Sequence, residues 1–347
     1  MKHIKRTAMM LIFIFTFLSL SGCSKAVTTN EPLIRTELVI GTVCKITLYD
    51  HQNEDTLDKA FSRLSELENI LSINKTGTEL DEVNANAGIK AVKVSSDTLN
   101  VIKKGLEYSK LSNGYLDITV GPLVKLWGIG TDNARVPSQE EIDEAKALVN
   151  YNWLHINEED STVFLEKEGM IIDLGAIAKG YAADEISELL KANNVESALI
   201  DLGGNVFTLG TKADGSLWKV GVQNPEKARN DTIGLVTVAD KSVVTSGVYE
   251  RVYEDPVTGK SYHHILNPFT GYPYDNNILG VSIISDKSID GDSLSTTLFA
   301  LGIDEGLELI NDMDGVEALY ITRDHELYLS EGFKDIFTLT NTEYNIK

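Results

Sequence analysis

Ala198-Leu-Ile-Asp-Leu-Gly-Gly-Asn-Val-Phe-Thr-Leu-Gly210 is the stretch that decides the fold. Residues 198–202 and 206–210 read as two strands, joined only by Gly203-Gly204-Asn205. A parallel crossover needs a dozen or more residues, so these strands pair antiparallel. The same short spacing recurs on both sides: strands at 153–157, 162–166 and 170–174 precede it, and 218–222, 234–238 and 279–285 follow. A hairpin of 318–322 and 326–330 turns through Arg323-Asp324-His325. Apolar residues at helical spacing mark 57–71, where Leu57, Ala60, Phe61, Leu64, Leu67 and Leu71 share a face. Further helices read at 95–111, at 138–149 behind a Ser138…Glu141 capping box, and at 177–192, 288–300 and 304–312. Residues 38–49 alternate as one strand, and 74–88 form a polar loop with weak helical character. The expectation is an α+β fold of largely antiparallel sheets with flanking helices, in one body over 37–340.

The chain has 347 residues, with 31 Lys+Arg against 52 Asp+Glu and a net charge of −21. That balance excludes nucleic acid as a partner, because phosphate backbones are bound by basic surfaces that release counterions. Any phosphate-bearing ligand must instead find local positive charge in a metal, a lysine or a helix N-terminus. Lys2, Lys5 and Arg6 precede an apolar run over 8–20, shorter than the roughly 18 residues of a membrane span and suited to a signal segment. Leu20-Ser21-Gly22-Cys23 resembles a bacterial lipobox. The expected organisation is a signal peptide over 1–22, lipidation at Cys23, a linker to residue 36, and a body tethered to the extracytoplasmic face of the cell membrane. Cys44, the other cysteine, reads as a small buried hydrophobe.

Four segments carry chemistry. In Ile172-Asp-Leu-Gly-Ala-Ile-Ala-Lys-Gly-Tyr-Ala-Ala-Asp184, an apolar strand ends at Asp173, turns at Gly175 and enters a helix of small residues beside Lys179. Small side chains let an anion approach backbone N–H groups at the positive helix end, yet they equally suit tight packing on a sheet. In Asp290-Gly-Asp-Ser-Leu-Ser-Thr-Thr297, Asp292 and Thr296 share one helix face, a set of oxygen ligands for Mg²⁺ or else an N-cap. The third segment joins Ser246-Gly-Val-Tyr-Glu-Arg251 to Tyr262-His-His-Ile-Leu-Asn-Pro-Phe-Thr-Gly271. His263 and His264 point to opposite sides of an extended chain, so one at most faces a site. In Tyr115-Leu-Asp-Ile-Thr-Val-Gly-Pro-Leu-Val-Lys-Leu-Trp-Gly128, Trp127 reads as core or as a wall for a flat ligand.

Taken together and in this order, the four segments with Asp201-Leu-Gly-Gly-Asn205 resemble the ApbE family of FAD:protein FMN transferases. The likeness runs from about Thr36 to Phe337. It implies a T-fold-like α+β architecture, FAD as substrate, Mg²⁺ as cofactor, and acceptor redox proteins carrying an FMN-accepting Thr or Ser. It assigns flavin-nucleotide contacts to Asn74, Asp173, Lys179, Thr119, Val120, Gly121 and Ile265. The metal ligands it implies are the Ala176 carbonyl, Asp292 and Thr296, with Ser295 as a further candidate. His264 or Asp292 would take the acceptor's proton. The sequence departs from the family pattern at Ile40, where Met is common, at Asn74, where an aromatic is common, and at Asn267, where Asp is usual. Two other functions fit the same segments: hydrolysis of FAD to FMN and AMP, and FAD carriage without turnover. A solute-binding lipoprotein, the third alternative, requires two α/β lobes that this strand pattern does not provide.

Overall fold

Strands β1 (Leu33–Val39) and β2 (Thr42–Leu48) form a hairpin where alternation reads as one strand over 38–49. The turn between them is Ile40-Gly41, both at positive φ (49° and 70°). Two such residues make the tight turn whose twist matches a hairpin, but a β-branched residue rarely occupies it, so the sequence hides it. The computed structural model describes residues 31–228 and 231–347. The signal segment, Cys23 and most of the expected linker lie outside the described residues. The body spans Pro32–Lys347, so β1 takes in the last residues of that linker.

After the hairpin come α1 (Glu54–Leu71), α2 (Glu79–Ala85), β3 (Val92–Lys93), α3 (Ser96–Leu111), α4 (Gly121–Trp127), α5 (Gln139–Lys146), β4 (Leu154–Asn157), β5 (Thr162–Leu165) and α6 (Ala178–Ala192). Then follow β6 (Ala198–Leu202), β7 (Asn205–Leu209), β8 (Trp218–Gln223), β9 (Thr232–Val238), β10 (Lys241–Gly247), β11 (Val252–Glu254), β12 (Ser261–His263) and β13 (Ile278–Ser285). The chain closes with α7 (Ser288–Leu301), α8 (Ile303–Asn311), β14 (Glu317–Thr322), β15 (Glu326–Leu329), α9 (Phe333–Ile336), β16 (Phe337–Leu339) and β17 (Asn345–Ile346).

Nine of the described strands form the main sheet in the order β1-β2-β6-β7-β10-β13-β14-β15-β17. Every pair in it is antiparallel except β15 with β17. At its centre β6 and β7 turn through Gly203-Gly204, at φ 67° and 95°, with Leu202 opposite Asn205. Helices α1 and α6 bury their apolar faces against β2, β6 and β7, and α7 with α8 covers β13 and β14. A second sheet, β16-β9-β8, packs on the opposite face of the β10–β15 half. Strand β13 is therefore buried at all eight positions, which explains an apolar run without alternation.

The expected strand at 170–174 is not one. Ile171 makes a single bridge to Val120. Its neighbour Ile172 satisfies its backbone through the Asn84 side chain, donating to Oδ1 at 2.7 Å and accepting from Nδ2 at 3.1 Å. An amide here replaces a partner strand. Besides several strands of two or three residues and the short helix α9, one helix and one longer strand escape the pattern. Helix α4 starts at Gly121-Pro122, where proline serves the first helical turn instead of only a bend. Strand β10 is rich in Ser and Thr.

Helices α6 and α7 cap each other. Neither has a side-chain cap of its own. The Asp184 carboxylate of α6 accepts from Ser288 N (2.8 Å) and Ile289 N (3.0 Å) at the start of α7. In return the Asp292 carboxylate of α7 accepts from Gly180 N (2.9 Å) at the start of α6. Burial outweighs the two N–H donors and lifts the Asp184 carboxyl to about 6. A raised carboxyl binds its proton more tightly in the folded state, so its stabilisation is full below about pH 4 and is lost as pH rises through 6. The stability difference between wild type and Asp184→Asn is thus expected to shift by about 2–3 kcal/mol over that window. Chemical denaturation at pH 4 and pH 6.5 measures it, and a pH-independent difference refutes it.

Candidate active site

The turn of β1–β2, the end of β10, the segment before α6 and the first half of α7 converge on one pocket of about 370 Å³. That size suits a small-molecule ligand. Asp173, Ala176 and Lys179 line it from one side, Asp292 and Thr296 from α7, His264 and Ile265 from the segment after β12, and Val120 from the start of α4. Lys179 and Asp292, 113 positions apart, thus share one cavity, because the reciprocal caps hold α6 against α7.

The cap at the N-terminus of α6 comes from another helix. Tyr181 N donates to Ile177 O, the first bond of the helix. Gly180 N, one of the opening amides without a helical acceptor, donates to Asp292 Oδ2. Ala176 lies just before this helix and lines the same pocket as Asp292. Asp292 is 2% exposed, and its second contact is Lys179 Nζ at 3.1 Å. Such a carboxylate needs a cation, because a buried charge without one is strongly disfavoured. Thr296 adds a hydroxyl, 3.3 Å from Ser246 Oγ. The donors are therefore all oxygen: one carboxylate, one hydroxyl and one main-chain carbonyl. That set fits a hard divalent cation with positions left for phosphate or water. Among the described residues no three His, Cys, Asp or Glu side chains gather as a metal cluster.

His264 lines the pocket and is held neutral. Burial, with the charge of Arg251 and the neighbouring His263 added, depresses its imidazole to about 3. Its Nδ1 is buried without a partner, a state that leaves about 1–3 kcal/mol to be recovered by a ligand. His263 faces the other way, with Nε2 at 2.8 Å from the Tyr274 carbonyl and Nδ1 accepting from Ile265 N. One histidine is structural and the other faces the site, as alternation requires. Asp173 accepts from Gly175 N at 2.6 Å, and burial pushes its carboxyl up against the pull of Arg251, Lys125 and Lys179.

Other predicted residues stand behind the wall. Thr119 is fully buried: it donates to Asp117 Oδ1 (2.7 Å) and accepts from Asn150 N (2.9 Å). A Cβ at Gly121 would lie 2.5 Å from the Ile171 carbonyl, so this glycine is required by packing. Ser295 donates to Asp292 O (2.8 Å) and pairs with Ser246 (2.7 Å), which turns its hydroxyl to the helix and to β10. Asn74 is exposed in the turn after α1 and does not line the pocket. Trp127 is core, buried and donating to Gly271 O at 2.8 Å. Asn267 accepts from Phe269 N and Thr270 N, a role that needs only an acceptor oxygen, so the loss of a carboxylate there is accommodated.

Sequence reading missed Ile40, Gly41 and Thr42, which line the pocket from the first hairpin, and Ser246 and Arg251. Nothing in an alternating apolar stretch announces the hairpin. Ser246 and Arg251 lay inside a segment already marked for its chemistry.

Residues 40–320 match the ApbE family. The FAD:protein FMN transferase of Treponema pallidum is 38% identical over 318 residues, 87% of each chain. That of Klebsiella pneumoniae is 35% identical over 89% of this chain and 95% of its own. Among solved structures, the ApbE protein of Thermotoga maritima superposes with a TM-score of 0.81 at 29% identity, covering 88% of this chain and 99% of that one. The apo flavinyl transferase ApbE of Pseudomonas stutzeri gives 0.77 at 27% identity, with 90% and 98% covered. This likeness in sequence and fold, over most of the chain, defines the class as flavin transferases. The chain belongs to the ApbE family.

Proposed function

We propose that this chain transfers FMN from FAD to a Thr or Ser hydroxyl of an acceptor protein, with Mg²⁺ as cofactor and AMP as the second product. The observation that carries this reading is the buried Asp292 carboxylate lining one pocket with Lys179, Thr296 and Ala176 at the N-terminus of α6. The relatives named above are FAD:protein FMN transferases, which supports the same substrate.

Asp292, Thr296 and the Ala176 carbonyl would hold the cation, which neutralises charge on the diphosphate when bound. Lys179, now against Asp292, would turn its ammonium to the phosphate oxygens. The acceptor oxygen bonds to the FMN phosphorus, and the bridging P–O bond breaks with its electron pair leaving on AMP. Positioning and charge stabilisation do most of this work. His264, being neutral, can receive the hydroxyl proton. Burial is the main cause of its low basicity, and a diphosphate would offset only the smaller contributions of Arg251 and Lys179. Asp292, the other candidate base, would be engaged in holding the cation. Val120 and Ile265 would flank the flavin nucleotide.

The lipobox supports a membrane-anchored enzyme on the extracytoplasmic face, acting on exported redox proteins. Co-expression with a candidate acceptor tests both parts. Mass spectrometry is expected to find FMN mass on an acceptor Thr or Ser, lost when divalent cations are chelated. The enzyme is expected in the membrane fraction and its Cys23→Ala variant in the soluble one. An unmodified acceptor with free FMN accumulating would favour hydrolysis and overturn transfer.

A further inference from the structure

We infer that Arg251, assigned no role so far, is a phosphate-anchoring residue of the pocket; the inference rests on the dinucleotide reading given above. Three observations point to it. Val252 stands opposite His263 in the β11–β12 ladder, and His264 N donates to Arg251 O, so Arg251 is the cross-strand neighbour of His264. Directly opposed residues of an antiparallel pair project to the same face. Both line the pocket.

Arg251 is exposed, and its stem runs along Gly130. Gly130, at φ 89° in the turn after α4, leaves room for it, and a Cβ there would come within 3.0 Å of Arg251 Cδ. The guanidinium acts on Asp173 and on His264 alike, on two separate walls of the cavity.

Its charge is also uncommitted. Among the described residues no carboxylate forms an ion pair with Arg251, in a chain where acidic residues outnumber basic ones by 52 to 31. Lys179, the other cation lining the pocket, is already held by Asp292. A diphosphate entering this cavity meets one lysine engaged with a buried carboxylate and one arginine with its fork of donors free. A planar guanidinium can take two phosphate oxygens at once, which an ammonium cannot.

The test compares charged and neutral ligands on the full chain by calorimetry, in Mg²⁺, with ADP against adenosine and FAD against riboflavin. Arg251→Gln is expected to weaken ADP and FAD at least tenfold and to leave adenosine and riboflavin within twofold. Arg251→Lys is expected to recover part of the loss, and raising the ionic strength to narrow the gap. Equal losses for neutral and charged ligands would make Arg251 a structural wall and overturn the inference, as would undiminished ADP binding. Melting curves of both variants confirm that the fold is retained. Wild type that binds FAD in the Arg251-dependent way yet modifies no acceptor would refute transfer and leave the anchoring role standing.

Discussion

Asp292→Asn is expected to lower FMN transfer about a thousandfold while the protein stays folded. The amide is nearly isosteric and its oxygen still accepts from Gly180 N, so the cap on α6 survives. What disappears is the negative charge, which sits 3.1 Å from Lys179 and 2% exposed. A hard cation binds a neutral amide far more weakly than a carboxylate, and removing one charge-stabilising group from an active site typically lowers turnover by about 10²–10³-fold. Asp292→Ala goes further, because it also removes the cap, worth about 1 kcal/mol, and leaves a half-buried ammonium without its partner. Covalent flavin fluorescence on a denaturing gel, followed across a Mg²⁺ titration, separates the two effects. Full transfer by Asp292→Asn in saturating Mg²⁺ would remove the metal from the mechanism.

The sequence permitted two readings of this aspartate, metal ligand or N-cap. The structure makes it a cap, though not of its own helix. Helix α7 begins at Ser288, so Asp292 lies a full turn inside it and reaches across to α6. That pairing is invisible to periodicity, because it depends on where two helices meet in space. The antiparallel sheet was legible for the opposite reason: Gly203-Gly204 leaves strands β6 and β7 no other way to pair. The hairpin at Ile40-Gly41 was not legible, since an isoleucine at φ 49° defies the preference that turn prediction relies on. Segment 170–174 looked like a strand because it is apolar, but its backbone bonds are split between the Asn84 side chain at Ile172 and residues 118–121 at Ile171 and Asp173. Within the site, Asp173, Lys179, His264 and Asp292, singled out by residue type, all line one pocket. Residue types could not separate Thr119 and Ser295, which brace the wall, from Val120 and Thr296, which form it.

Gly180→Ala bears on the same contact from the side of stability. In an exposed helix this change is stabilising by about 1 kcal/mol, since alanine loses less backbone freedom on folding. At this position the sign should reverse. A Cβ on residue 180 would lie 2.3 Å from the Ser288 carbonyl oxygen and 2.7 Å from Ile289 Cα. Both are backbone atoms at the capped start of α7, so no side chain can rotate away. Relief requires the helices to part, which stretches the bonds from Asp184 to Ser288 and Ile289 and from Asp292 to Gly180 together. The expected loss is about 3 kcal/mol, or roughly 5–10 °C in melting temperature. The same displacement moves Ala176 and Lys179 away from Asp292 and Thr296. Transfer should therefore fall at temperatures where the variant is still fully folded, with the apparent Mg²⁺ requirement rising. Alanine that stabilises the protein, or that destabilises it without touching Mg²⁺ dependence, would show that the close approach of α6 and α7 does not set the geometry of the site.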